Sequence, residues 1–315
     1  MSSAAKARLA LAAVCLFWGT TYLAIRVVVA DLPPSLFCSV RFFLAGLPML
    51  VWALWRGHPP PRGRDWPDIV VTSILLLTAG NGMLAWAEQW VPTGIASILV
   101  VTTPLWMAVF AALAGERVRA RAVTGLLLGF LGLLVVLWPD LAPVSPSAGF
   151  VRGAIGILLS SMTWAFGSVY TKMRPPRTSP VMTAAIQMLI GSAIFAAAAF
   201  LNGEGARWDP ALKHWLAILY LVVFGSMVGY GSYLYALAHL PTPQVSIYAY
   251  VNPLVAVGLG AVLLGERADR YLAAGMPLVL FGVYLAGSAT PPPTPDALET
   301  ATQRRPRGGW RRPWS

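Results

Sequence analysis

Three ionisable side chains, Arg26, Arg41 and Glu88, fall inside or at the rim of long apolar runs of this chain. A charge in such a run is costly to hold in a bilayer, so each is a candidate for function or for pairing with another charge. Arg41 lies about seven residues into its run, roughly 10 Å below the nearer end at 1.5 Å per residue. Glu88 is the one carboxylate near a run core, and three readings fit it. It is a polar residue at the interface beside Trp90, or an ion-pair partner of Arg41, or a group that takes up and releases a proton. Arg26 sits nearer a run end, where it can reach headgroups or pair with Asp31.

Little else in the chain suits covalent or acid–base chemistry. His58, His214 and His239 lie in loops or at run ends, no aspartate lies in a run core, and Ser232 has no base at its depth. Metal-ligand spacing is missing, so neither metal nor cofactor is expected, and the chain is read as no enzyme. Cys15 and Cys38 fall inside runs and read as small buried apolar residues. Binding is better provided for. Trp18, Trp164, Tyr230 and Tyr248 fall near mid-run, where amphipathic rings suit a cavity for apolar or aromatic bodies, or for cations on their π faces. Pro104 and Pro253 each sit mid-run and each frees a carbonyl about four residues earlier, near Val100 and Ala249. Thr102, Thr103 and Asn252 stand beside them. Each proline is a packing kink or a hinge in a gating helix, and the two readings are compatible.

The elements that position these residues are membrane helices. The 315 residues are 57% hydrophobic and 11% charged, where a soluble domain carries about a quarter charged residues. Ten apolar runs are expected as spans: 9–30, 35–55, 69–89, 94–114, 122–138, 153–171, 181–201, 215–237, 245–264 and 271–288. Helix is the form that pairs every backbone group internally. The net charge of +11 suggests nucleic acid at first sight. Its distribution argues for topology instead. With the N-terminus inside, sixteen of the 23 Lys and Arg fall in inside segments and five in outside ones. That bias predicts a multi-pass inner-membrane protein with both termini cytoplasmic and no nucleic-acid partner. Residues 289–315 form a basic Pro/Arg-rich tail, expected to be disordered.

One segment occurs twice. Residues 102–117 read TTPLWMAVFAALAGER, and 250–267 read YVNPLVAVGLGAVLLGER. A shift of 149 places Gly80 on Gly229, Gly82 on Gly231, Pro92 on Pro241, Thr93 on Thr242 and Pro104 on Pro253. The Gly-Glu-Arg ends match at 150. Nearer the N-terminus a shift of 146 places Trp18 on Trp164, Arg26 on Lys172 and Arg41 on Gln187. A five-helix unit is thus used twice, over 8–138 and 150–288. Five is odd, so the second copy is expected upside down, with a substrate site near the midplane between the halves.

Phe17-Trp18-Gly19-Thr20-Thr21-Tyr22, Val40-Arg41-Phe42-Phe43, the paired proline segments and the Gly-Glu-Arg ends resemble the EamA family of the drug/metabolite transporter superfamily. The resemblance spans about residues 8 to 287. It departs from the family pattern by one residue missing between Pro104 and Glu116. It implies an all-α membrane protein of ten helices in two inverted EamA repeats, with a central cavity lined by helices 1, 3, 4, 6, 8 and 9. It implies a transporter, often an exporter of amino acids, metabolites or drug-like molecules. On this reading Trp18, Thr21, Tyr22, Asn81, Trp86, Trp164, Tyr230, Tyr248 and Asn252 bind substrate, Pro104 and Pro253 act as hinges, and Arg41 and Glu88 form an ion pair or couple protons. The expected partners are a small-molecule substrate and the lipid bilayer, with the chain acting as a monomer. The alternatives are a passive facilitator or channel and, far behind, a membrane-embedded enzyme.

Overall fold

The computed structural model describes residues 3–91, 93–116, 118–136, 138, 147–255 and 270–288. These form helices joined by short turns, with no strand among the described residues. In chain order they are α1 (Ser3–Val29), α2 (Pro34–Trp55), α3 (Gly63–Ala87), α4 (Thr93–Val100), α5 (Thr103–Leu113) and α6 (Ala120–Val136). They continue with α7 (Ala148–Met173), α8 (Pro180–Leu201), α9 (Leu212–His239), α10 (Thr242–Val245), α11 (248–255) and α12 (Arg270–Ser288).

Local sequence explains the helix ends. Ser147 and Ser179 cap α7 and α8, accepting from Phe150 N at 3.1 Å and Met182 N at 3.2 Å. Beyond the last turns of α2, α5 and α8 stand Gly57, Gly115 and Gly203, each at positive φ, a conformation glycine adopts without a Cβ clash. In the α1–α2 turn Asp31 accepts from Lys213 at 2.6 Å and meets His214 at 2.9 Å, tying the start of α9 to the end of α1. These two partners, Lys213 foremost, hold the Asp31 carboxyl below the usual carboxylate range. The expected Arg26–Asp31 pair is absent because Asp31 is already engaged.

Side-chain placement marks lipid as the solvent. On α1, Leu9, Leu16 and Leu23 form an exposed stripe at seven-residue intervals, while Val14, Ile25 and Val28 are buried. An apolar outer face of this kind is covered by membrane or partner rather than water.

Among the described residues six helices, α1, α2, α3, α7, α8 and α9, are long and apolar enough to cross a membrane, so six of the ten expected spans are shown. The rest of the ten correspond to shorter or broken helices, or lie partly outside the described residues. The expected fourth span is broken into α4 and α5, because Pro104 takes the second position of a new helix instead of kinking an old one. Thr102 at the break donates Oγ1 to Leu99 O at 2.8 Å. The expected ninth span breaks after Val245 and runs on as α11 through Pro253; residues 256–264 lie outside those described. The second Gly-Glu-Arg end and the 289–315 tail also lie outside them.

The repeat is visible in the packing. α2 packs on α8, its counterpart, and α6 on α12, its counterpart. Both pairs run antiparallel, which is what an inverted repeat requires. Ser39 Oγ donates to Ser192 O at 3.0 Å and Ser192 Oγ to Ser39 O at 2.9 Å, while Gly46 lies against Ala185. On the other seam a Cβ on Gly125 would lie 2.6 Å from Gly282 O, and one on Gly132 2.9 Å from Gly275 O. Close backbone approach through small residues is a common means of joining helices in lipid. The third helix of each unit carries the same irregularity: α3 over Ser73–Asn81 and α9 over Leu221–Tyr230 wind as π-helix. The 149-residue shift superimposes these two stretches.

Candidate functional site

The π turns put Gly80 and Gly229 where an indole can lie on the backbone. Trp164 of the second unit sits against Gly80, and Trp18 of the first sits against Gly229. Trp18 Nε1 donates to Gly225 O at 2.9 Å. The carbonyl of Gly80 accepts from Ser160 Oγ at 2.5 Å. Carbonyls at or beside the wide turns are thus satisfied by the opposite unit, in a form of helix often found at functional sites.

Between the two indoles and the far end of α1 lies a cavity of about 70 Å³. Trp18, Thr21, Tyr22 and Ile25 line it from α1, and Arg41 from α2. Gly80, Asn81 and Leu84 come from α3, Val100 from α4 and Thr103 from α5. Ser160, Ser161 and Trp164 come from α7, Tyr248 and Asn252 from α11. At this size it holds a small body or a few waters, well below the ~300 Å³ of a drug-sized site. Trp18 and Trp164 meet edge to face with centroids 5.4 Å apart, and Trp18 meets Tyr248 likewise at 5.1 Å.

Seven of the nine residues expected to bind substrate line this cavity; Trp86 and Tyr230 do not. Trp86 is half-exposed on the outer surface, packed on Trp90 at 4.7 Å. Tyr230 lies behind Trp164 and donates to Gln187 Oε1 at 2.7 Å. Among the lining residues α9 supplies none, and α2 supplies Arg41, which the family pattern of helices did not include. Ile25, Gly80, Leu84, Ser160 and Ser161 were missed, while Thr103 and Val100 were named only as neighbours of Pro104. Thr103 was within reach, because the 149-residue shift places it on Asn252.

Asn252, with its amide turned to satisfy both neighbours, donates to Cys15 O at 3.1 Å and Tyr248 O at 2.9 Å. It thereby ties α11 to α1, where Gly19 lies so close that a Cβ would be 2.8 Å from Asn252 O. Ser161 is buried, and its Oγ has no hydrogen-bond partner.

Arg41 and Glu88 do not form an ion pair in this structure. Arg41 Nε donates to Ser226 Oγ at 2.9 Å, and Nη1 lies 3.4 Å from Asn81 Oδ1. Glu88 is wholly buried at the end of α3, and neither carboxyl oxygen has a partner. Its backbone carbonyl accepts from Arg26 Nη1.

The end of the molecule that carries the α1 N-terminus is closed by two layers. One is aromatic: Tyr233 packs on Trp18, Trp164 and Tyr248, and its hydroxyl accepts from Trp164 Nε1 at 3.1 Å. The other is ionic. Lys172 at the end of α7 meets Glu116 after α5 at 3.2 Å, and donates to Leu240 O and Thr242 Oγ1 at 3.1 Å each. Thr242 Oγ1 donates in turn to Glu116 Oε1 at 2.9 Å. Three helix ends from both units are joined there. Among the described residues no cluster of three or more His, Cys, Asp or Glu side chains could hold a metal ion.

Paired antiparallel helices, matched π turns and a polar-and-aromatic cavity between two repeats define a membrane transporter. The chain belongs to the EamA-like transporter family, whose model matches residues 5–138 and 151–288. It is 37% identical over 279 residues to the inner membrane transporter YedA of Escherichia coli (strain K12), covering 88% of this chain and 89% of that protein. It is 27% identical over 286 residues to the transporter YvbV of Bacillus subtilis (strain 168), covering 89% and 91% respectively. A solved crystal structure, 22% identical, has the same fold with a TM-score of 0.73 over 90% of this chain and 96% of that one. The chain is a multi-pass membrane transporter of this family.

Proposed function

We propose that the chain exports small organic molecules, such as amino acids, other metabolites or drug-like compounds, by alternating access around this cavity. The observation that carries the reading is that counterpart residues of the two repeats meet in one cavity wall: Trp18 with Trp164, and Thr103 with Asn252. A site shared by two opposed, nearly equivalent units can be presented to either side by rocking one unit against the other.

The Lys172–Glu116–Thr242 latch supports the same reading. Its counterparts in the repeat register of the sequence are Arg26, Glu266 and Thr93, of which Arg26 lies at the opposite end of the molecule. Arg26 there holds the Glu88 carbonyl much as Lys172 holds the Leu240 carbonyl; Glu266 lies outside the described residues. Closing one latch while the other opens would give two states of similar energy. Glu88, with a carboxyl that no neighbour holds, is the group we assign to proton coupling. Pro104, at the start of α5, and Pro253, within α11, are the hinges of the two segments that flank the cavity. Both repeats sit in one chain, so a monomer in the bilayer suffices, with both termini cytoplasmic.

The test is uptake into proteoliposomes of a pooled amino-acid and metabolite panel, read by mass spectrometry with and without a pH gradient. Accumulation only with the gradient, lost in Glu88→Gln, supports a proton-coupled carrier. Equilibration regardless of the gradient assigns a facilitator, with Glu88 structural. No uptake of any member contradicts the transport reading for these substrate classes.

A further inference from the structure

Arg41 is 3% exposed, lines the cavity, and has no carboxylate within 4.0 Å among the described residues. Its counterpart Gln187 shows what that position does when its role is packing. Gln187 Nε2 donates to Thr72 Oγ1 at 2.6 Å, and its Oε1 accepts from Tyr230, the counterpart of Asn81. Arg41 keeps the equivalent contact with Asn81, at a looser 3.4 Å, and adds a charge and further N–H donors that the scaffold does not consume. Its other partners, the Ser226 hydroxyl and the Phe42 ring face 5.3 Å from the guanidinium carbon, are neutral. A buried guanidinium without a counter-charge is expensive in lipid. Its planar fork of donors matches a carboxylate better than any other common small group.

A second observation points to a ligand in the same place. Ser161, on the cavity wall formed by α7, is 2% exposed with its hydroxyl unpartnered. Buried polar groups left without partners are uncommon, and one facing a cavity marks a place where an occupant completes the bond.

We infer that the substrate is a small carboxylate, amino acids included, whose carboxyl group docks on Arg41 and whose next polar group meets Ser161. The inference rests on the carrier reading above and names its substrate class. The indoles of Trp18 and Trp164 then take the apolar remainder, and the cavity widens for bodies larger than it now admits. Glu88, buried with both carboxyl oxygens free of hydrogen bonds, is the rival counter-charge.

The experiment uses the full chain in proteoliposomes and a neutral-pH panel of amino and organic acids, each beside its amide, with protein-free liposomes subtracted. Acids are expected to enter at least ten-fold faster than their amides. Arg41→Gln abolishes that preference, Arg41→Lys keeps part of it, and Ser161→Ala slows acid uptake several-fold. Glu88→Gln keeps the preference for acids. Equal uptake of amides and acids by the wild type overturns the inference and leaves the carrier standing. So does a preference for acids that is absent in the wild type and appears only in Glu88→Gln, which assigns the charge of Arg41 to Glu88. If Arg41→Gln does not fold, the acid-to-amide ratio of the wild type decides alone. Uptake of no compound in either series removes the carrier reading and this inference together.

Discussion

Trp18 and Trp164 occupy the same position in the two repeats, and their rings meet edge to face in the cavity wall, 5.4 Å apart. Each indole lies on a glycine of the opposite unit, Trp18 on Gly229 and Trp164 on Gly80. The glycine is needed because the π turn brings the backbone directly under the ring.

The two glycines differ in tolerance. A Cβ on Gly229 would lie 2.3 Å from Trp18 Nε1 and 2.8 Å from Phe224 O, whereas one on Gly80 has its nearest atoms at 3.0 Å. Gly229→Ala is therefore expected to push Trp18 off the Gly225 carbonyl. It should cost about 1–3 kcal/mol and remove most transport. Gly80→Ala should cost less. Melting of the purified protein in detergent, beside uptake by each variant, checks the order.

The α6–α12 seam makes a sharper contrast. Gly125→Ala places a methyl 2.6 Å from backbone atoms of α12, which cannot rotate away, while Gly231→Ala meets only Met49 Cε at 3.6 Å. Gly125→Ala should lose folded protein on extraction, and Gly231→Ala should extract as the wild type does. Equal yields would mean that the seam is looser than described.

The latch at the α1 N-terminal end is partly solvated, with Lys172 and Glu116 side chains 26% and 32% exposed. Its ion pair is accordingly worth about 0.4–1 kcal/mol, the upper part of the range for exposed pairs. Glu116→Gln or Lys172→Met should shift the population toward the state open at that end by about two- to five-fold. Cys15 reports this. It lies on the same face of α1 as Trp18, one turn nearer that end, and is part-buried, while Cys38 is fully buried. Maleimide labelling of Cys15 should quicken two- to five-fold in either variant. Unchanged labelling would make the cluster a surface ornament of the loops.

Much of this was legible in the chain. The repeat offsets of 146, 149 and 150 come from identities such as Gly80/Gly229 and Trp18/Trp164, and the packing of α2 on α8 and α6 on α12 follows the same register. Cavity residues at α-helical spacing on α1, Trp18 and Tyr22, are also readable, because one face of a helix recurs every three to four residues; Ile25, next on that face, went unread. What was hidden is what depends on helix rotation and irregular backbone. Tyr230 was expected in the cavity, but it is drawn away to Gln187, and no local pattern shows which face a π turn presents. Trp86 was expected in the cavity because it lies on a helix that the family resemblance assigns to it, yet it turns outward to Trp90. Pro104 and Pro253 match in sequence, yet the chain breaks two residues before one and six before the other, so matched prolines do not fix matched bends. Ser161 carried no signal, since serines in an apolar run, as in the Ser160-Ser161 pair, usually satisfy themselves on their own backbone.

The central claim is that one site between the repeats is exposed alternately to each side. Counterflow tests it most directly: proteoliposomes are loaded with an unlabelled transported compound, and entry of the same compound in labelled form is followed from a dilute outside solution. A carrier of this kind predicts a transient overshoot of label above its equilibrium level, abolished in Gly229→Ala. A monotonic rise to equilibrium, unaffected by the internal load, would contradict alternating access and assign an open pathway.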